Sequence, residues 1–321
     1  MIGPVLSLAL LQAAAQPVAG PAPRDAPGPA VDLEEIVVEG RRVEDLASQF
    51  VVEVSDPVKH RGMARWRDGV CVGVANLRAD LAQQIVDRVS SIVEDVGLRP
   101  GSPGCSPNIL VIATIDANTF TPQFVAQRPR LFQVGGSGMD QGSAALRRFE
   151  TSDRPVRWWT VSIKTDDDTG KASVRLPGTL NGNGTGRRSV DQYAPIVALR
   201  AASRLTTSFV DDAKRSFVIV DVDQVQAVSL DQLADYVAMV SLAQIDPEAD
   251  TSGYASILNI FDDPSQTPGL TNWDRAYLIG LYDTERRRLN RTSQRTEVVD
   301  AIVRAHRLLT GTEESSPATD R

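Results

Sequence analysis

The chain has 321 residues, a formal net charge of -7, 42% hydrophobic residues and 23% charged residues. That length holds one large domain or two smaller ones with a real core, and the composition is that of an ordinary globular protein. The acidic balance, with no basic stripe interleaved with aromatics, argues against a nucleic-acid partner, and no run of about 18 apolar residues exists to form a transmembrane segment.

The apolar run Leu6 to Leu11 leads into Ala13-Ala14-Ala15-Gln16, a small-x-small cleavage pattern. Residues 1–15 therefore read as a signal peptide, although no Lys or Arg precedes the apolar run. Residues 16–45 read as a disordered Pro/Ala-rich spacer. Within it, Leu33 to Arg42 (LEEIVVEGRR) concentrates β-branched residues behind two acids. Two readings stay open for this stretch: an edge strand of the chain's own domain, or an exposed peptide that adds a strand to a partner.

A single α+β domain is expected over 46–309. Val70 to Val74 is a strand candidate that carries Cys71, and Asn76 is placed to cap the helix that follows. Leu77, Leu81, Ile85, Val89, Ile92 and Val96 recur at spacings of three and four, the stripe of a long amphipathic helix. Gly97 stands where a C′ glycine belongs. Asn108 to Asp116 reads as a buried strand. Val156 to Thr165 reads as an alternating strand with Lys171 to Gly178 as its hairpin partner. Gly178 to Gly186 is a Gly-rich loop without the ending of a phosphate-binding P-loop. Ile196 to Leu205 is a helix candidate, and Arg215 to Asp223 a further core strand.

Ser229 to Ile245 is the most informative segment. Ser229 and Gln232 fit a capping box, and beyond them the sequence is apolar nearly all round, so the helix is expected to be buried. Two more helices follow, one capped by Thr271 with Asp274 and one over Glu297 to Leu309, before a disordered tail at 310–321. Strands do not alternate regularly with helices. The expected fold is therefore α+β, a mixed sheet packed against a long amphipathic helix and a buried central helix, with a helical C-terminal tail.

Cys71 and Cys105 are the two cysteines. A well-separated pair in an exported chain reads as one disulfide. Closing a loop of about 35 residues stabilises the fold by about 4 kcal/mol in the chain-entropy model. This agrees with a periplasmic or secreted location in a Gram-negative bacterium.

Catalytic motifs are scarce. His60 and His306 are the two histidines; each sits in a context that reads as structural, and no Gly-x-Ser-x-Gly elbow or His-Glu-x-x-His helix is present. No metal site and no cofactor is expected. The carboxylates remain. Asp235 lies in the middle of the buried helix, where an acid needs a partner, and Asp231 lies one turn earlier on the same face. A salt bridge to an arginine and a site carboxylate are both open for Asp235.

Three resemblances attach to these residues. Core strand, short loop and buried helix in succession resemble the surroundings of a zincin metallopeptidase active site. Laid over its metal-binding helix, Asp231-Gln232-Leu233-Ala234-Asp235 puts Asp231 and Asp235 at the ligand positions and Gln232 at the general base. Gln cannot take a proton from water, so the likeness implies a zincin shape without its chemistry. The stretches Gln232 to Asp250, Ile257 to Asp263 and Gly269 to Tyr282 resemble uncharacterised secreted proteins of alphaproteobacteria, which brings no activity. Finally, Glu35, Ile36, Val37 and Val38 are similar to the TonB box of outer-membrane receptors, though the chain lacks the many alternating strands of a receptor barrel.

Together these features lead us to expect an exported, non-enzymatic binding or interaction protein with a protein or small-molecule partner in the cell envelope. The alternative is a zincin-like hydrolase, or a degenerate metallopeptidase, centred on the Ser229–Ile245 helix.

Overall fold

The structure is a computed structural model that describes residues 33–67, 69–132, 141–172, 206–288 and 290–311, with side chains from residue 43 onward. The strands are β1 (Val72–Ala75), β2 (Ile109–Thr114), β3 (Val156–Asp166) and β4 (Phe209–Asp221). Among the described residues they form one sheet in the order β1-β2-β4-β3, with β1, β2 and β4 parallel and β3 antiparallel at the edge. The mixed sheet and the α+β class are as expected.

Alternation along the strands explains the layering. Ile109 and Val111 of β2, Val218 and Val220 of β4, and Val156 and Trp158 of β3 belong to one core. Ile112, Phe217, Ile219, Trp159 and Val161 belong to the other. The first core is covered by α1 (Leu33–Val54), α2 (Ala79–Asp95), α6 (Leu230–Leu242), α7 (Asn272–Tyr282) and α8 (Arg291–Thr310). The second is covered by α3 (Ala117–Gln127), α4 (Pro129–Phe132) and α5 (Gly142–Thr151). This second layer was not foreseen. Its helices are short, and α3 contains Pro122, so the apolar period that marks α2 is weak there.

Several local expectations are met. Gly97 has φ +80°, and the N–H groups of Leu98 and Gly97 close onto the carbonyls of Val93 and Glu94, a Schellman ending for α2. The Ser229–Gln232 capping box is present, and every residue of α6 from Leu233 to Leu242 is buried. Thr271 and Asp274 form a second capping box. Cys71 and Cys105 form a disulfide with Cα atoms 6.1 Å apart.

Others are corrected. Leu33 to Arg42, expected to be extended in either reading, is helical in α1. A helix propagates at the cost of one residue per hydrogen bond once it is nucleated. The later half of α1 supplies the anchor, because Ala47, Phe50, Val51 and Val54 are fully buried at helical spacing. Asn76 does not cap α2. It adopts φ +61° in the preceding turn, and the N-cap position is Arg78, which makes no side-chain cap. β3 pairs with β4 along its whole length, and on its other side Thr165 bridges Ala172 in antiparallel fashion, at the start of the expected hairpin partner. The rest of that expected hairpin strand, the Gly178 to Gly186 loop, the Ile196 to Leu205 helix and residues 1–30 lie outside the described residues. The C-terminal helix starts earlier than expected, at Arg291, and Gly311 ends it with φ +72°.

Candidate functional site

The buried acid Asp235 sits on α6, 1% exposed. Arg88 of α2 donates Nε to its Oδ1 at 2.6 Å and Nη2 to its Oδ2 at 2.9 Å, and the Leu270 N–H donates to Oδ2 at 2.7 Å. The structure thus supplies the arginine partner that the sequence left open. One turn earlier, Asp231 is exposed and accepts from Gln84 Nε2 at 2.8 Å. Gln232 is fully engaged. Its Oε1 accepts from the Ser229 N–H at 2.9 Å, and its Nε2 donates to the carbonyls of Pro264 at 2.9 Å and Thr267 at 2.8 Å. The three residues laid over the zincin helix therefore fasten α6 to α2 and to the 264–270 loop. Among the described residues no group of three or more His, Cys, Asp or Glu side chains is arranged to hold a metal ion.

The histidines lie apart from this cluster. His60 is exposed in a turn with φ +66°. His306 packs edge-on against Trp273 with ring centroids 5.3 Å apart, and burial holds its pKa below the usual imidazole range.

A cleft of about 220 Å³ opens at the carboxyl ends of the parallel strands. Val111 of β2 and Val220 of β4 form its floor, with Leu81 and Ile85 of α2 on one wall and Leu230 and Leu233 of α6 on the other. Every residue that lines it is Ala, Val, Leu or Ile. Two local choices open this space. The β1–α2 turn, with Asn76 in the left-handed region, carries Leu77 into the lining, and the β4–α6 connection contributes Val222, Val225 and Val228. Ile115, immediately after β2, is 75% exposed at the same end of the sheet. The carboxyl edge of parallel strands is where open α/β sheets bind ligands. The lining offers no nucleophile, acid or base, so it can hold apolar matter but cannot do chemistry on it.

A second charged cluster went unread in the sequence. The segment 61–67 lies beside the first half of β4, where Arg65 bridges Asp212 in parallel. Asp212 is fully buried and receives Arg67 Nε at 2.8 Å, a close contact from Arg286 Nη2 and the Thr165 hydroxyl. Asp211 receives Arg61 Nε at 2.6 Å and the Gly62 N–H at 2.8 Å. The signal was present as two adjacent acids, Asp211 and Asp212, together with Arg61, Arg65 and Arg67 in one short stretch. It was missed because β4 begins six residues before the apolar run that reveals it, at Phe209 and not at Arg215.

Asp274 is another buried carboxylate whose environment the sequence did not announce. Beyond its capping role it accepts from Ser256 Oγ at 2.6 Å and the Ile257 N–H at 2.8 Å, and burial still pushes its pKa up.

No protein-family model, curated protein or solved structure matches this chain.

Proposed function

We propose that this is an exported, non-enzymatic binding protein whose ligand seat is the aliphatic cleft at the carboxyl ends of β1, β2 and β4. The observation that carries the reading is the lining: wholly aliphatic walls, placed where a parallel sheet ordinarily presents a ligand site. A polar ligand there would lose its water contacts and gain no hydrogen bond. The occupant is therefore a short aliphatic chain. Its size follows from the volume, since about 220 Å³ is below the roughly 300–1,000 Å³ of drug-sized sites. Export is supported by the apolar run at Leu6 to Leu11 before Ala15 and by the Cys71–Cys105 disulfide, a bond that persists in oxidising compartments.

Titration with linear alcohols of increasing chain length tests the seat. Saturable binding that strengthens with chain length up to a limit, and that Leu81→Asp abolishes, is expected. Absence of saturation for every chain length, or affinity unchanged in Leu81→Asp, would overturn it. Cell fractionation tests the compartment, with the protein expected in the periplasm or medium and no reactive thiol.

A further inference from the structure

A second cavity, of about 450 Å³, lies at the other end of α2 from the aliphatic cleft. The C-terminal turns of α2 and α7 flank it, Trp66 and Tyr282 form an aromatic wall, and three arginines line it: Arg65, Arg67 and Arg286. The pairing of segment 61–67 with β4 brings them together, since the Ala213 N–H donates to Arg65 O at 2.9 Å and holds Arg65 and Arg67 at this edge.

The positive charges here exceed the acids that answer them. Arg67 and Arg286 share the carboxylate of Asp212. Arg67 also reaches Asp167 at 3.2 Å, which Arg287 approaches at 3.6 Å. Among the described residues two acids, Asp212 and Asp167, thus serve these three guanidinium groups. Arg65 adds another. It is 1% exposed, its Nη1 and Nη2 donate to the carbonyl and hydroxyl oxygens of Thr284 at 2.7 and 2.8 Å, and its Nε is buried without an acceptor. Both partners of Arg65 are neutral. Burial first, and then the neighbouring Arg286, lower its pKa to about 10, while Glu285 opposes from longer range.

The other acids near the cavity are answered only in part: Glu285 accepts from the Arg287 N–H at 2.9 Å. Asp95 is held by Arg275 at 3.0 Å, and Asp283 has Arg304 at 3.9 Å. The C-terminus of α7 faces Arg65 with the equivalent of about half a negative charge, which offsets only part of one guanidinium. The carbonyls ending α2 are closed by its Schellman bonds.

We propose that this cavity is an anion-binding site for the oxyanion, carboxylate or phosphate, of a small ligand whose apolar body rests on Trp66 and Tyr282. Arg286, with its side chain 22% exposed and, among the described residues, only Nη2 engaged by Asp211 and Asp212, makes the direct contact in the forked geometry that guanidinium groups offer to oxyanions, while Arg67, whose nitrogens all donate to Asp212, Asp167 and Thr165, adds its charge from the wall. Arg65 sits behind them and supplies the unmatched charge. The site is separate from the aliphatic cleft, and either can fail without the other.

The test is calorimetric titration of the disulfide-bonded protein with inorganic phosphate and, in a second arm, with benzoate. Ionic strength is held constant with chloride as background. Saturable binding of either anion above that background is expected, and the tighter of the two identifies the oxyanion. Arg286→Gln is expected to weaken binding about tenfold or more. Asp283→Asn removes a carboxylate from the cavity wall at an exposed position, so it leaves the fold intact and is expected to tighten binding about two- to fivefold. Binding of neither anion overturns the proposal. So does an affinity that Asp283→Asn leaves unchanged, which decides the matter even if Arg286→Gln does not fold.

Discussion

Arg88 on α2 grips Asp235 on α6 through two parallel hydrogen bonds, Nε to Oδ1 at 2.6 Å and Nη2 to Oδ2 at 2.9 Å. The pair joins the amphipathic helix to the buried one, and the Leu270 N–H completes the carboxylate's coordination. Removing either partner does different things. Arg88→Met leaves a buried carboxylate with one backbone donor. Complete loss of a buried partner costs about 3–5 kcal/mol. The Arg88 side chain is 38% exposed, so water compensates in part and about 2–3 kcal/mol is expected. Asp235→Asn keeps an acceptor for Leu270 and is expected to cost less. Urea unfolding of both variants measures this, and equal losses would contradict the account.

Gly269 makes the same point from the loop side. A Cβ placed on it would lie 2.6 Å from Asp235 Oδ2. Gly269→Ala therefore must push the carboxylate out of its position or shift the loop, at about 1–3 kcal/mol. The effect is expected to be non-additive with Arg88→Met, since both act on one carboxylate. A double-mutant cycle in urea checks the coupling, and strict additivity would mean that Gly269 is sensitive for another reason.

Asp56 gives the stability a pH dependence. Burial, and then the nearby Asp246 charge, raise its carboxyl from an ordinary 3.8 to about 6, with Arg148 pulling the other way. Its Oδ2 accepts from Gln141 Nε2 at 2.6 Å. The folded state thus holds the Asp56 proton more tightly than the unfolded chain does. Its contribution is fully present below pH 3.8 and is lost as pH rises through about 6. Partial exposure reduces the total to about 1–2 kcal/mol. Asp56→Asn is expected to be more stable than the native chain at pH 7, with the gap closing as pH falls to 4. Unfolding midpoints across that range read this directly, and a gap independent of pH would exclude the carboxyl as its cause.

The Cys71–Cys105 bond ties the loop before β2 to the entry of β1, next to the carbonyl of Cys71 that accepts from Asn108 and Ile109. Replacing both cysteines by serine is expected to lower stability by about 2–4 kcal/mol. Thiol titration of the native protein is expected to find none reactive. Two reactive thiols would remove both this contribution and the support it gives to export.

The sequence by itself determined the elements whose signal is local. The stripe from Leu77 to Val96, the capping boxes at Ser229 and Thr271, the apolar strands and the Cys71–Cys105 pairing all follow from periodicity, cap chemistry or residue count, and α6 had to be buried because it has no polar face. Tertiary structure decided what depends on partners distant in the chain. Leu33 to Arg42 carries a β-branched pattern, yet it continues a helix whose other half is anchored by Phe50 and Val54. β3 pairs with β4 across more than forty intervening residues, a pairing no local pattern announces, because β4 takes β2 as its parallel partner on one side and has its other side open to an antiparallel strand. The same holds for the sites. Nothing local distinguishes Asp235 as a paired acid or Arg65 as an unmatched base. The free energy of a buried charge is set by which groups surround it in space, and those groups come from α2, β4 and the end of α7.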